Sequence, residues 1–268
     1  MRCWAFLLAY DGSRYFGFVR QPGRRTVEGE VLEALRACGL HQDIRDARYR
    51  AASRTDRGVS ATGQVISIGL EAVPDVAETN AKLPDDIAFL AAAEVDPGFD
   101  ARRMAREKHY RYVCDVPLDF DIGLAKQAAG MFSGEHDFFN FCKREPGVPT
   151  TGELEVSVDA GKELRFGFAG RKFLWQQVRR IVNAILLAGQ GELSLEEIDA
   201  MLKREVDKSL QPAPAEGLFL ASVKCEGVEF ELDAGMIERF DKYLHGKESL
   251  VHEAMAEGLS GGTVRSRQ

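Results

Sequence analysis

Hydrophobic and polar positions along the chain follow two periods, one of about two residues and one of three to four. Alternating or unbroken apolar runs predict strands at 3–9, 49–52, 63–70, 88–95, 108–116, 153–158, 163–169 and 218–225. Helical spacing predicts four helices, one after a Thr26 cap and the others at 124–132, 173–188 and 194–204. The longest of these is expected to end at Gly189, and the last to begin with a capping box of Ser194 and Glu197.

This order of elements indicates an α+β protein with helices on one face of its sheets, because strands precede and follow helices in both halves of the chain. We predict an N-terminal α+β half at 1–105, a C-terminal α+β half at 106–230, and a helical tail at 231–268 that is peripheral or partly disordered. The loop between the second and third predicted strands carries the most informative polar cluster.

The composition is that of a soluble globular protein, with 45% hydrophobic and 29% charged residues among 268. No apolar run is long enough to cross a bilayer, and residues 1–10 resemble a strand rather than a signal peptide, so we expect a cytoplasmic protein. The five cysteines and five histidines have neither disulfide-framework nor metal-ligand spacing. We therefore predict no metal site.

Positive charge is concentrated locally although the net charge is −7. Residues 1–60 hold eleven arginines against seven acids, 102–111 hold five basic residues against one acid, and 171–180 hold four basic residues and no acid. Such clusters suit a groove for a polyanion, whereas each one alone also suits a solvated face. The candidate RNA-binding residues in and around them are Arg20, Arg24, Arg57, Arg102, Arg111 and Arg171.

Asp56 is the strongest candidate for catalysis. Arg54 and Arg57 flank it and favour its ionised form, and Gly58 permits either a backbone conformation with positive φ or close approach by a ligand. The alternative is an ordinary turn in which the carboxylate bonds its own backbone.

Several motifs, taken together, resemble one family across residues 3–225. They are Tyr10-Asp11-Gly12 with Tyr15, Gly17 and Arg20-Gln21-Pro22; Arg54-Thr55-Asp56 with Gly58 and Gln64; Asn80 with Leu83-Pro84-Asp85; Phe99 with Ala101-Arg102; Tyr110-Arg111-Tyr112; Gly134 with His136-Asp137-Phe138; Phe173-Leu174 with Val178-Arg179; and Ala213-Pro214 with Gly217-Leu218. In this order they resemble the tRNA pseudouridine synthase A family.

The resemblance implies a role for four residues. Asp56 would be the aspartate that converts uridine to its carbon-linked isomer, and Arg54 would assist flipping of the nucleotide or anchor a phosphate. Tyr110 would stack on the target base, although a tyrosine in an alternating strand is otherwise a core residue. Arg179 would pair with the aspartate, although a helix arginine otherwise extends along the outer face.

The family's properties imply two ferredoxin-like halves with joined antiparallel sheets and an RNA-binding cleft between them. The implied substrate is tRNA, with target uridines at about positions 38 to 40 of the anticodon arm, flipped out of the stack for reaction. The implied enzyme is a homodimer without a cofactor. Ser53, Arg57 and Ser60 differ from bacterial members, and they affect the groove that selects the target uridine.

Two other classes of function stay open. One is a tRNA chaperone that only binds, against which an intact Asp56 with Tyr110 and Arg179 argues. The other is an Asp-dependent hydrolase of nucleosides or phosphodiesters, which normally needs a cluster of metal-binding carboxylates.

Overall fold

The computed structural model of the chain describes residues 1–41 and 47–260, which contain nine strands and eight α-helices. The strands are β1 (Arg2–Tyr10), β2 (Arg50–Ala51), β3 (Ser60–Leu70), β4 (Ile87–Val95), β5 (Ala105–Cys114), β6 (Gly134–Asp137), β7 (Thr151–Ala160), β8 (Leu164–Gly170) and β9 (Leu218–Cys225). The helices are α1 (Val27–Ala37), α2 (Val76–Asn80), α3 (Ala101–Met104), α4 (Ile122–Met131), α5 (Gln177–Gly189), α6 (Leu195–Leu202), α7 (Ala234–His245) and α8 (Leu250–Ser260). The protein is thus a mixture of helices and mostly antiparallel strands.

The chain divides into two compact units. The first contains Met1–Arg106 and the chain from Phe219 onward, and the second contains Glu107–Leu218. The second unit therefore ends at Leu218 rather than at the predicted residue 230. The reason is a long-range pairing, because β9 joins β3 of the first unit in parallel, with Phe219 opposite Ser60.

The first unit is built on strands in the order β4-β1-β3-β9, with β2 also paired to β3. Strand β1 lies antiparallel to both β3 and β4. Every residue of β3 is buried, as expected of a strand covered on both faces. Gly63 in this strand lies so close to β9 that a Cβ atom there would be 2.5 Å from the carbonyl oxygen of Ala221.

The segment after residue 231 is not peripheral, contrary to our prediction. Helices α7 and α8 pack into the first unit, where Phe240 is 1% exposed and Met255 is fully buried. The prediction was wrong because the many charged residues of this segment conceal the apolar positions of the two helices. The expected disorder at the Gly-Gly terminus, 261–268, lies outside the described residues. None of the helices in the described ranges is both long and apolar enough to span a bilayer.

The second unit contains the antiparallel strands β5-β8-β7-β6 in that order. Helix α4 packs against α5 and β7. Phe132 and Phe141 meet edge to face in its core, with ring centroids 4.8 Å apart. The side chain of Asn140, fully buried, donates to the carbonyls of Met201 and Val206 and thereby holds the segment after α6.

Two predicted helix starts are confirmed. The Thr26 side chain accepts the N–H of Gly29 at the start of α1. At the start of α6, Ser194 and Glu197 form the predicted capping box, with each side chain accepting from the other residue's backbone. Caps of this kind can be predicted from sequence because both partners lie within four residues of each other.

Helix α5 ends at Gly189, as expected, but its start differs from the prediction. It begins at Gln177 rather than at residue 173, because Gln176 has a left-handed backbone with φ 60°. Gly189 is the last residue of the helix, where a Cβ atom would be 2.2 Å from the Phe120 ring, so its role is close packing. The left-handed position after the helix belongs to Gly191, with φ 73°.

We expect Gly63→Ala to destabilise the protein by about 1–3 kcal/mol, because the added methyl group collides with backbone rather than with a movable side chain. Gly130→Ala is the matched control. Gly130 lies inside α4 with nothing near its Cβ position, so alanine there should stabilise the helix by about 0.5–1 kcal/mol. Urea unfolding of both variants measures the difference, and equal stabilities would contradict the close β3–β9 packing.

Candidate active site

Asp56 lies in the loop between β2 and β3, at the start of a tight turn. Its backbone carbonyl accepts the N–H of Val59 at 3.2 Å, and Gly58 within the turn has φ 83°. The predicted positive φ at Gly58 is thus confirmed. The Asp56 residue is half-buried, whereas Arg54 and Arg57 on either side are exposed.

Gln64 of β3 holds the beginning of this loop. Its side chain is fully buried, accepts the N–H of Ser53 at 3.1 Å and donates to the Ser53 carbonyl at 2.8 Å. The Ala52 N–H bonds the carbonyl of Val65 at 2.8 Å. The amide side chain therefore continues the β2–β3 pairing by one more residue and fixes where the loop departs from the sheet.

The segment that follows β1 packs against the other side of the loop. The hydroxyls of Tyr10 and Thr55 are hydrogen-bonded at 2.8 Å, and the N–H of Phe18 donates to the Thr55 carbonyl at 3.1 Å. A Cβ atom at Gly12 would be only 2.0 Å from the carbonyl oxygen of Val59. Gly17 is equally constrained, with φ 98° and the backbone of Thr55 3.1 Å from its Cβ position. The two motifs thus form one packed unit that only glycine permits at these points.

Asp11 connects the segment after β1 to helices α7 and α8. It is 2% exposed, and its carboxylate accepts the N–H of Ser13 at 2.9 Å and the hydroxyl of Tyr243 at 2.8 Å. The Nε2 atom of His252 lies 3.2 Å from the same carboxylate. Burial by itself would raise the pKa of Asp11, but His252 and the hydrogen bonds of Ser13 and Tyr243 outweigh it and hold that pKa well below its ordinary value.

A second buried carboxylate, that of Asp86, fixes the loop before β4. It accepts the hydroxyl of Tyr15 at 2.5 Å, while the Asp86 carbonyl accepts the N–H of Asp11 at 2.9 Å. Burial, together with this neighbouring carboxylate, raises the pKa of Tyr15. Asn80 bonds the backbone of Phe89 through both ends of its amide. Asp86 and Asn80 thus have structural roles. Asp86 holds the Tyr10–Phe18 segment, which packs against the Asp56 loop, and Asn80 holds the backbone of β4.

The candidate RNA-binding arginines of the first unit are all exposed. Arg20 lies 3.5 Å from Glu28, and Arg102 lies on the short helix α3. Arg24 and Arg57 come together on one aromatic ring, that of Phe16, with Cζ atoms 4.5 Å and 4.7 Å from its centroid. Sequence reasoning missed Phe16, because nothing in the motif shows that two distant arginines meet there.

Tyr110 lies in β5 of the second unit, opposite Phe168, and is 6% exposed. Its ring meets that of Phe173 edge to face, with centroids 4.9 Å apart and an interplanar angle of 71°. Arg111 and Arg171 of the same unit are exposed. The phenol is therefore held by aromatic packing, with its ring orientation set by Phe173.

Arg179 of α5 does not extend freely along the outer face of the helix. It is half-buried, and its Nε donates to the carbonyl of Ala213 at 2.6 Å. The Ala213 N–H returns a bond to the Arg179 carbonyl at 2.9 Å. Two of the motifs that carry the resemblance thereby lie side by side. In the described parts of the chain, no group of three or more His, Cys, Asp or Glu is arranged to hold a metal ion.

Known proteins that are similar to this chain show its family. A tRNA pseudouridine synthase A of Thermococcus sibiricus is 42% identical over 253 residues, which cover 90% of this chain and 94% of the relative. The chain belongs to this family. A family model described as tRNA pseudouridine synthase matches residues 128–225. The tRNA pseudouridine synthase A of Methanothermobacter thermautotrophicus is 37% identical over 268 residues, covering 97% of each chain.

A solved structure described as a pseudouridylate synthase is 11% identical, has a TM-score of 0.36, and covers 90% of this chain and 75% of its own. That likeness adds no weight to the assignment. The sequence relatives alone confirm the resemblance that the motifs indicated.

The structure brings some family positions together and leaves others in separate units. Asp56, Arg24 and Arg57 lie in the first unit, whereas Tyr110 and Arg179 lie in the second. Their joint action in one family site stays a prediction. Sequence reasoning missed Tyr243 and His252, whose contacts with Asp11 join residues more than two hundred positions apart.

We expect Tyr243→Phe to lower the free energy of unfolding by about 1.5–3 kcal/mol at neutral pH, because it removes a hydrogen bond to a buried carboxylate. The lowered pKa of Asp11 means that this carboxylate stabilises the fold above its ordinary pKa of 3.8 and that the contribution disappears as the pH falls. The difference between wild type and variant should therefore persist at about pH 4 and shrink only as the pH falls further, toward the lowered pKa of Asp11 in the folded protein.

Tyr49→Phe is the control for that measurement, because the buried Tyr49 hydroxyl has no hydrogen-bond partner among the described residues. Its removal should cost nothing and should show no such pH dependence. Urea unfolding from pH 7 down to about pH 2 measures both variants, and a loss for Tyr243→Phe that stays constant over this whole range would contradict the role given to Asp11.

Proposed function

We propose that this chain is a tRNA pseudouridine synthase that isomerises uridine to pseudouridine in the anticodon arm, at about positions 38 to 40, with Asp56 as the catalytic carboxylate. The observation that carries the proposal is the Asp56 turn, which Gln64 holds on one side and the Tyr10–Phe18 segment on the other. A surface aspartate in an ordinary turn needs neither support. A reacting carboxylate needs both, because catalysis depends on exact placement.

The proposed reaction uses the carboxylate to detach uracil from its sugar and to rejoin it through carbon. The carboxylate attacks the anomeric carbon or the uracil ring, or it stabilises positive character at the anomeric carbon. The detached base then rotates within a closed site and bonds again before it can escape. No redox change or group donor is involved, so the reaction needs no cofactor.

The target nucleotide has to leave the base stack first, at a cost of a few kcal/mol. Arg54 is exposed beside the turn and is suited to occupy the gap or to hold the displaced phosphate. Tyr110 offers its ring to the flipped base, with the ring orientation fixed by Phe173. Arg179 pairs with Asp56 and keeps it ionised in this scheme.

The proposed architecture follows the family. It consists of two ferredoxin-like halves whose antiparallel sheets join, a cleft between them that holds the RNA, and a homodimer in the cytoplasm. The exposed arginines are proposed as phosphate contacts along the cleft: Arg20, Arg24, Arg57, Arg102, Arg111 and Arg171. Local cations of this kind allow a chain with a net charge of −7 to bind a polyanion.

We expect Asp56→Asn to abolish pseudouridine formation while tRNA affinity and folding change little, because the amide keeps the shape and removes the charge. Site-resolved mapping of unmodified tRNA transcripts after incubation measures the product, and filter binding measures affinity. Asp96→Asn is the matched control, since Asp96 also lies in an exposed turn, where its side chain accepts the Gly98 N–H as an amide oxygen could. Full turnover by Asp56→Asn would refute the assignment, and tRNA binding without turnover by wild type would favour the chaperone.

Tyr110→Phe separates stacking from proton transfer. Phenylalanine keeps the ring and its contact with Phe173, so we expect unchanged affinity but a rate lower by about 10²-fold if the hydroxyl moves a proton in the reaction. Tyr110→Leu should weaken binding as well, because it removes the stacking face. Single-turnover kinetics measure both effects, and a wild-type rate for Tyr110→Phe would limit the residue to stacking.

A further inference from the structure

The Phe16 ring joins two arginines from separate motifs. Arg24 comes from the short hairpin after Phe16, and Arg57 comes from the Asp56 turn, yet both guanidinium groups lie against this one ring. The backbone of Phe16 is itself fixed, because its N–H donates to the carbonyl of Arg25 and its carbonyl accepts the side chain of Gln21, both at 2.9 Å. The ring therefore stands on a hydrogen-bonded backbone and supports two exposed cationic side chains.

The charges of these two arginines are not neutralised by acids, unlike those of their neighbours. Arg20 lies 3.5 Å from Glu28, and Arg25 bonds Glu30 at 2.6 Å. Within the described residues, neither Arg24 nor Arg57 has a carboxylate within ion-pair distance. A cation–π contact orients a guanidinium without cancelling its charge. Both side chains thus present full positive charge to the solvent.

The distances from the ring place the two guanidinium carbons at most 9.2 Å apart. Two like charges held this close repel each other, and an anion that contacts both relieves the repulsion. Guanidinium groups bind phosphate oxygens through a planar fork of N–H donors, and orienting that fork beforehand reduces the entropy lost on binding. The arrangement is suited to two neighbouring phosphates of one strand.

We propose that Phe16, Arg24 and Arg57 form a two-phosphate clamp for the backbone of the substrate RNA, with Phe16 as its positioning residue. The proposal rests on the proposed function and adds to it a defined position of the RNA strand relative to Asp56. Arg57 is the direct chain neighbour of Asp56, so a phosphate held there is bound at the turn that carries the carboxylate. The clamp therefore determines which nucleotide of a bound strand reaches Asp56.

The experiment compares Arg24→Ala, Arg57→Ala, Phe16→Leu and Phe16→Tyr with wild type, using an unmodified tRNA transcript over a range of salt concentrations. Each arginine variant should lower the slope of log affinity against log salt by about 0.7–0.9, the value for one lost phosphate contact. Phe16→Leu keeps both charges but loses the ring face, so KM for tRNA should rise by about 3-fold while kcat changes much less. Phe16→Tyr keeps the face and should restore KM.

Arg36→Ala is the matched control. Arg36 is an exposed arginine of the same unit, but it is paired with Glu33 at 2.6 Å, so its loss should leave affinity and salt slope unchanged. Inorganic phosphate is a second probe, and the clamp predicts that tRNA competes with it in wild type but not in Arg24→Ala. Thermal unfolding of every variant excludes loss of fold as the cause.

The outcomes separate the clamp from the proposed function. If wild type forms pseudouridine while both arginine variants keep wild-type affinity and slope, the clamp is wrong and the function stands. If wild type forms no pseudouridine on any transcript while the arginine variants lose affinity as described, the function is wrong and the clamp stands as an RNA-binding site. A Phe16→Leu variant with wild-type KM would overturn the positioning role.

Discussion

Backbone packing between the segment after β1 and the Asp56 turn is the constraint on which the candidate site depends. Glycine at position 12 lets the two segments approach to a distance that any side chain would prevent, and Gly17 adopts a φ of 98° that other residues rarely adopt. The hydroxyl pair of Tyr10 and Thr55 then fixes their register. Because backbone atoms rather than flexible side chains make the close contact, the backbone of the Asp56 turn is held against the sheet behind it.

Buried carboxylates connect this packed pair to the rest of the first unit. Asp11 joins the segment to α7 and α8, and Asp86 joins it to the loop before β4. A buried carboxylate such as that of Asp11 stays ionised only when several donors satisfy it, and here the Ser13 N–H and the Tyr243 hydroxyl do so. The C-terminal helices are thus structural supports of the site rather than an appendage.

Charge is divided between two uses in this chain. Arginines paired with acids, such as Arg25 with Glu30, stabilise local structure and contribute little field. Arg24 and Arg57 rest on an aromatic ring and keep their charge available to a ligand. An acidic protein can in this way present a cationic surface. The electrostatic field near a site depends on the unpaired charges close to it and not on the net charge of the whole chain.

The sequence by itself determined the features whose causes are local. Strand β9, the Thr26 cap, the capping box of α6 and the positive φ of Gly58 all depend on residues within a few positions of one another, and the ordered motifs were sufficient for the family. Only the tertiary structure decided that β9 pairs with β3, that Tyr243 donates a hydrogen bond to Asp11, and that two arginines lie against the Phe16 ring. The physical reason is that contacts between remote residues arise from packing of whole elements, which leaves no periodic or capping pattern in the chain.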